Sequence, residues 1–230
     1  MKTEIPLATH ELRFTASQSA GEVSALMLRP PNPKWFLVFG HGAGAGIRHR
    51  FMEKLAKELA ANAIATLRYQ FPYIEKGKKT PDPQPILLKT VRAAATCAQE
   101  FAGDLPLFAG GKSLGGRMTS LAAAKEPLPK VKGLVFFGFP LHAPGQPSSE
   151  RAAHLANVNL PMLFLQGDRD QLAKLELLRP VCEGLGKQAT LHVIAGADHG
   201  FHVLKSSGRT DDEVIAELAK TTAQWFSFLK

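Results

Sequence analysis

Four short stretches carry residue types that could act together on an acyl group. The first is Gly111-Lys112-Ser113-Leu114-Gly115, extended by Gly110 and Gly116. Glycines two residues before and after the serine remove Cβ atoms from a sharp turn where backbone must approach backbone. A serine hydroxyl is a poor nucleophile until a base takes its proton. The base must be held in one tautomer, and its cation must be stabilised by a buried carboxylate. Gly167-Asp168-Arg169-Asp170 and Asp198-His199-Gly200-Phe201 supply these groups in the order Ser, acid, His. Asp170 is preferred to Asp168, because G-x-x-D lets the chain clear a strand and turn its carboxylate back toward the histidine loop. Asp168 otherwise caps a turn. His199 is preferred as base over His202, and Asp198 reads as a loop-shaping residue. The fourth stretch, His41-Gly42-Ala43-Gly44-Ala45-Gly46, offers backbone N–H groups for a developing oxyanion, with Ala43 and Leu114 as the expected donors. His41 reads as a loop-fixing hydrogen bonder, since no partner ligands stand at zinc spacing. Gly-Lys-Ser also resembles the end of a phosphate-binding loop. That motif needs a glycine where Pro106 stands, and the nucleotide reading fails.

Such groups work only if strand ends present them. Short apolar runs at 35–39, 63–67, 107–109, 131–137, 162–166 and 190–194 read as buried strands. Two more strands are expected at 11–15 and 22–28, joined by a polar turn. Helical spacing marks Phe51 to Asn62, Leu87 to Phe101, Leu114 to Lys125, Gln171 to Cys182 and Val214 to Leu229. A long loop is expected from Arg68 to Pro85. This alternation predicts an α/β fold: a mostly parallel central sheet of about eight strands, helices on both faces and a minimal cap. One domain spanning residues 1–230 accounts for the chain.

Composition narrows the class further. The 230 residues are 45% hydrophobic and 21% charged, ordinary for a globular chain. The formal charge of +8 is scattered among acidic residues, which argues against a nucleic-acid partner. The polar start, Met1 to Phe14, does not read as a signal peptide. No run approaches the roughly 20 apolar residues a membrane span requires. Cys97 and Cys182 read as free thiols, and a reducing cytoplasm is the expected location. No metal or organic cofactor is expected.

His41-Gly42-Ala43-Gly44, Arg68-Tyr69-Gln70-Phe71-Pro72-Tyr73, the stretch from Gly111 to Arg117, Leu165 to Asp170 and Asp198 to Phe201 together resemble the α/β-hydrolase superfamily. Within it the chain looks like the dienelactone-hydrolase-like branch. It is most similar there to a group of small predicted hydrolases that includes a testis-expressed protein and a chromatin-complex subunit. The resemblance implies a serine hydrolase acting on an ester, thioester or related acyl bond through an acyl-Ser113 intermediate. Dienelactone hydrolase itself uses a cysteine nucleophile, and Ser113 departs from it. The alternative is a non-catalytic binding or scaffold protein that retains the fold. Tyr69 and Phe71, leaving one strand end, and Phe139 and His142, leaving another, are expected to line a substrate pocket or else plug the core. Arg68, Lys112, Arg117 and His142 near the mouth would favour an anionic small-molecule substrate.

Overall fold

The computed structural model describes residues 8–229; the first seven residues of the polar N-terminal stretch lie outside it. Eight strands form one sheet: β1 (Thr9–Ser17), β2 (Gly21–Leu28), β3 (Trp35–Gly40), β4 (Ile64–Tyr69), β5 (Leu107–Lys112), β6 (Val131–Phe137), β7 (Met162–Gly167) and β8 (Ala189–Ile194). Their spatial order is β1-β2-β4-β3-β5-β6-β7-β8. β1 pairs antiparallel with β2, and β2 with β4; all remaining pairs are parallel. Each parallel pair needs a crossover, and helices supply most of them. The helices are α1 (Arg50–Ala61), α2 (Pro72–Glu75), α3 (Gln84–Ala102), α4 (Leu114–Lys125), α5 (Leu175–Gly184) and α6 (Asp211–Phe228).

Side-chain alternation along the central strands divides the core in two. Leu37, Phe39, Phe108, Val135 and Phe137 pack with Met52, Leu55 and Leu59 of α1 and Leu218 and Phe226 of α6. Phe36, Val38, Ala109, Leu134 and Phe136 face α3, α4 and α5 through Val91, Met118 and Leu178. Each fully buried Leu, Phe or Met is worth about 1.5–3 kcal/mol. These strands are buried on both faces, which is why they read as continuous apolar runs. α6 starts on a reciprocal capping box, in which Thr210 Oγ1 accepts from Glu213 N–H and the Glu213 carboxylate accepts from Thr210 N–H.

Several elements differ from the sequence-based expectation; β1 and β5, for example, run longer than 11–15 and 107–109. β4 runs on through Arg68 and Tyr69, because both pair in register with β2 and β3. The following loop contains α2, started by Pro72 at a position where its missing N–H costs nothing. α5 begins at Leu175 rather than Gln171, because the Asp170 carboxylate accepts the Leu172 N–H and holds 170–174 as a turn. The segment between β6 and β7 carries only a 3-10 helix, Glu150–Asn157, lying against α4. Among the described residues, the C-terminal edge of the parallel strands is therefore left without a large lid.

Candidate active site

The turn between β5 and α4 puts Ser113 at φ 50°, ψ −112°. This is the first central conformation of a type II′ turn, which glycine dominates. Ser113 N–H donates to Phe137 O at 3.2 Å, so neighbouring β6 holds the strained residue in place. A Cβ on Gly111 would lie 2.6 Å from Gly40 O, and one on Gly115 2.3 Å from the same atom. Both glycines are thus required by the packing of α4 and β5 against β3.

Two further strand ends deliver the acid and the imidazole. Arg169 N–H donates to Ala197 O at 3.0 Å and Gly196 N–H to Asp168 Oδ1 at 2.8 Å, stitching the loop after β7 to the loop after β8. Asp198 accepts from Gly200 N–H and His202 N–H and shapes the tip. Within this frame His199 Nε2 lies 2.8 Å from Ser113 Oγ, and His199 Nδ1 lies 2.7 Å from Asp170 Oδ2. A carboxylate only accepts, so the neutral imidazole carries its proton on Nδ1 and leaves Nε2 to accept from the serine hydroxyl. Asp168 faces Gly196 instead, and exposed His202 pairs with Asp211 at 3.0 Å.

Asp170 is buried and anchored by residues beyond the histidine. Gln166, wholly buried at the end of β7, donates its amide to Asp170 Oδ2 and accepts Phe139 N–H at 2.9 Å on its own oxygen. Sequence reasoning did not single out Gln166. The signal was a lone polar residue ending a run of apolar ones, a position where a buried amide must find partners.

Ser113 and His199 open onto a cavity of about 310 Å³, also lined by Ala43, Phe51, Met52, Lys112 and Leu172. The Leu114 N–H is at the first position of α4 and has no acceptor within its own helix. Ala43 lines the same cavity beside Ser113. His41 is buried behind this loop. Its Nδ1 donates to Gly42 O at 2.8 Å and its Nε2 accepts Phe71 N–H at 3.1 Å, a fixed neutral tautomer.

Burial pushes the His41 pKa down to about 4 from 6.5, and the half-buried His154 is lowered to about 4 by the same cause. Between these values the unfolded chain binds the proton and the folded chain does not. Stability is therefore full above pH 6.5 and falls as pH drops toward 4, at a slope of up to about 1.4 kcal/mol per pH unit for the buried His41. Urea unfolding at pH 7.5 and 4.5 checks this, and His154→Gln should remove part of the acid loss. An unchanged acid loss in that variant would rule His154 out as a contributor.

The residues expected to line the pocket are placed otherwise, Lys112 excepted. Arg68 lies on the α1 face of β4, buried, with a guanidinium N–H donating to Ile47 O at 3.0 Å. Tyr69 fills the space beneath Gly40, where a Cβ would meet its hydroxyl at 2.6 Å. Phe71 packs edge-on against His41 and Tyr69, and Phe139 against Phe136 and Phe164. His142 accepts Lys174 N–H on Nε2 and braces the Asp170 turn. Arg68, Tyr69, Phe71, Phe139 and His142 are thus structural supports, because strand extension and core packing turn them away from the cavity. Lys112 lines the cavity, but its ammonium is already bonded to His199 O at 2.6 Å.

A second serine–histidine contact, Ser120 Oγ to His154 Nε2 at 2.8 Å, joins α4 to the 3-10 helix. Ser120 is fully buried, its hydroxyl also meets Arg117 O at 2.9 Å, and no carboxylate is hydrogen-bonded to His154 among the described residues. The pair fastens two elements and offers no opening to a substrate.

Eight strands in this order, with Ser113 in the turn after β5 and Asp170 and His199 in the loops after β7 and β8, define an α/β-hydrolase fold. Residues 33–227 match the alpha/beta hydrolase domain family, and the chain belongs to it. Among solved structures it is similar to dienelactone hydrolase from Anabaena variabilis, at 19% identity and TM-score 0.77, covering 97% of this chain and 98% of that one. It is also similar to an α/β serine hydrolase without lid from Xanthomonas campestris, at 19% identity and TM-score 0.71, covering 96% of each chain. The esterase domain of a Rhodothermus marinus protein matches at 14% identity and TM-score 0.71, covering 95% of this chain and 98% of that one. At these identities the likeness is one of fold. No helix among the described residues is long and apolar enough to cross a membrane.

Proposed function

We propose that the chain is a serine hydrolase that cleaves an ester, thioester or related acyl bond of a small substrate. The observation that carries this is the unbroken contact series Ser113 Oγ–His199 Nε2 and His199 Nδ1–Asp170 Oδ2, at 2.8 and 2.7 Å, beginning on a strained elbow. In the acylation step Ser113 Oγ attacks the carbonyl carbon while His199 Nε2 takes its proton. Asp170 stabilises the resulting imidazolium, and the N–H groups of Ala43 and Leu114 receive the oxyanion. Collapse breaks the bond to the leaving group, which takes the proton from His199. Water then repeats the sequence on the acyl-Ser113 ester and releases the acid. Kinship with the dienelactone-hydrolase-like branch, and with its small serine-bearing group, is part of this reading and rests on the motifs from His41 to Phe201. The two free thiols, Cys97 and Cys182, suit a reducing cytoplasm.

Labelling with a fluorophosphonate, followed by mass spectrometry, tests the reading. An adduct on Ser113 is expected in the wild type and absent from Ser113→Ala and His199→Ala. A folded wild type that never labels would sink it and favour the non-catalytic scaffold.

The cavity at Ser113 suits a small acyl or leaving group. A larger groove of about 770 Å³ adjoins it through Ala45 and His49 and carries Arg13, Arg48, Lys78 and Lys79 against Glu11. Arg13 is paired with Glu22 and Glu75, and Arg48 with Glu11; no ion pair of Lys78 or Lys79 is present among the described residues. An anionic preference then arises from these lysines: Arg68 and His142 are buried, and Arg117 lies by Arg151 and His154. The p-nitrophenyl half-ester of a short dicarboxylic acid should be preferred a few-fold over the neutral ester of equal length. Joint Lys78→Ala and Lys79→Ala substitution, or high salt, should erase that preference. A preference unmoved by both would remove the lysines from substrate binding.

A further inference from the structure

Lys112 precedes the nucleophile, yet its side chain does not extend to solvent. The ammonium donates to His199 O at 2.6 Å and stands 5.3 Å from the Phe201 ring centroid and 5.9 Å from that of Phe51. The two rings stack with centroids 5.7 Å apart. Lys112 ends β5, Phe51 belongs to α1, and Phe201 follows the histidine with a backbone φ of 64°. Three separate elements thus meet on one ammonium. The chain leaves room for it at Gly138, where a Cβ would lie 3.0 Å from Lys112 Nζ and 3.5 Å from His199 Nδ1.

The bond to the His199 carbonyl fixes the backbone from which the imidazole projects. A displacement of about 1 Å at such a distance from Ser113 can cost on the order of 100-fold in rate. Asp170 and Asp198 attract the ammonium, and His49 lines the same cavity. Burial, the largest influence, pulls the Lys112 pKa down to about 8, so the group remains mostly charged at neutral pH.

We propose that Lys112 is a positioning residue for His199, anchoring its loop through the carbonyl. The proposal rests on the catalytic reading of Ser113, His199 and Asp170.

Lys112→Met, Lys112→Gln and Lys112→Arg test it. In Lys112→Met, kcat should fall roughly 10- to 100-fold with KM changed little. Lys112→Gln and Lys112→Arg keep a donor toward the His199 carbonyl and should recover part of that loss. The backbone amide resonances of residues 198–201, read by NMR without substrate, should move in Lys112→Met and lie nearer the wild type in Lys112→Arg, which separates failure of this proposal from failure of the catalytic reading. Met and Gln are neutral and cost less to bury than an ammonium, so these variants should fold. Amide resonances of 198–201 unmoved in Lys112→Met would overturn the proposal, as would a loss of kcat that neither Gln nor Arg relieves.

Discussion

Replacing Ser113 with glycine should silence the site and at the same time stabilise the chain. Loss of Oγ removes the atom that the proposed reaction uses to attack the carbonyl, 2.8 Å from His199 Nε2, and turnover of a short ester is expected to fall on the order of 10⁴- to 10⁶-fold. Stability moves the other way. Ser113 is held at φ 50°, ψ −112°, a conformation that strains any residue bearing a Cβ by about 1–3 kcal/mol. Glycine relieves that strain, but its freer unfolded chain returns about 0.5–1 kcal/mol. His199 faces the cavity, where water can replace the lost hydroxyl. The balance is a gain of about 1 kcal/mol, or roughly 2–4 °C in Tm for a chain of this size. Ser113→Ala retains the Cβ and should lose activity without the thermal gain. Calorimetry on the three proteins decides the matter: a glycine variant that melts below the alanine variant would mean that the elbow stores no strain.

Gly115→Ala is expected to carry a large cost in stability. Its Cβ would lie 2.3 Å from Gly40 O and 2.4 Å from Gly40 C, both backbone atoms of β3. No rotamer change relieves a clash between backbone atoms, so α4 and β3 must separate. The expected loss is about 3 kcal/mol or more, a fall in Tm of roughly 6–12 °C, and the elbow is displaced with the helix. Gly184→Ala near the end of α5 is the control, since a Cβ there meets nothing within 4 Å and φ is not positive. It should leave stability unchanged or raise it by up to about 1 kcal/mol. Equal melting of Gly115→Ala and wild type would show that the two backbones are not closely packed in solution.

The hydrophobic pattern disclosed the parallel strands because burial on both faces leaves little room for polar residues within them. The ends were harder to read. Arg68 and Tyr69 are polar or amphipathic, and pairing with β2 and β3 places them in β4 all the same. Asp170 drew the Leu172 N–H into a turn and delayed α5, a local competition that helical spacing does not reveal. Gln166 and Lys112 gain their roles from partners at 139, 170 and 199, distant in sequence.

By itself, then, the sequence determined the class of sheet, the glycine-flanked serine and the chain order of serine, acid and histidine. These depend on residue type and spacing, which act locally. Tertiary structure alone decided which aromatic side chains become supports and where positive charge borders the cavity. Each of those outcomes depends on the direction of a side chain at a strand end, and one residue of strand extension sends that side chain to the other face of the sheet.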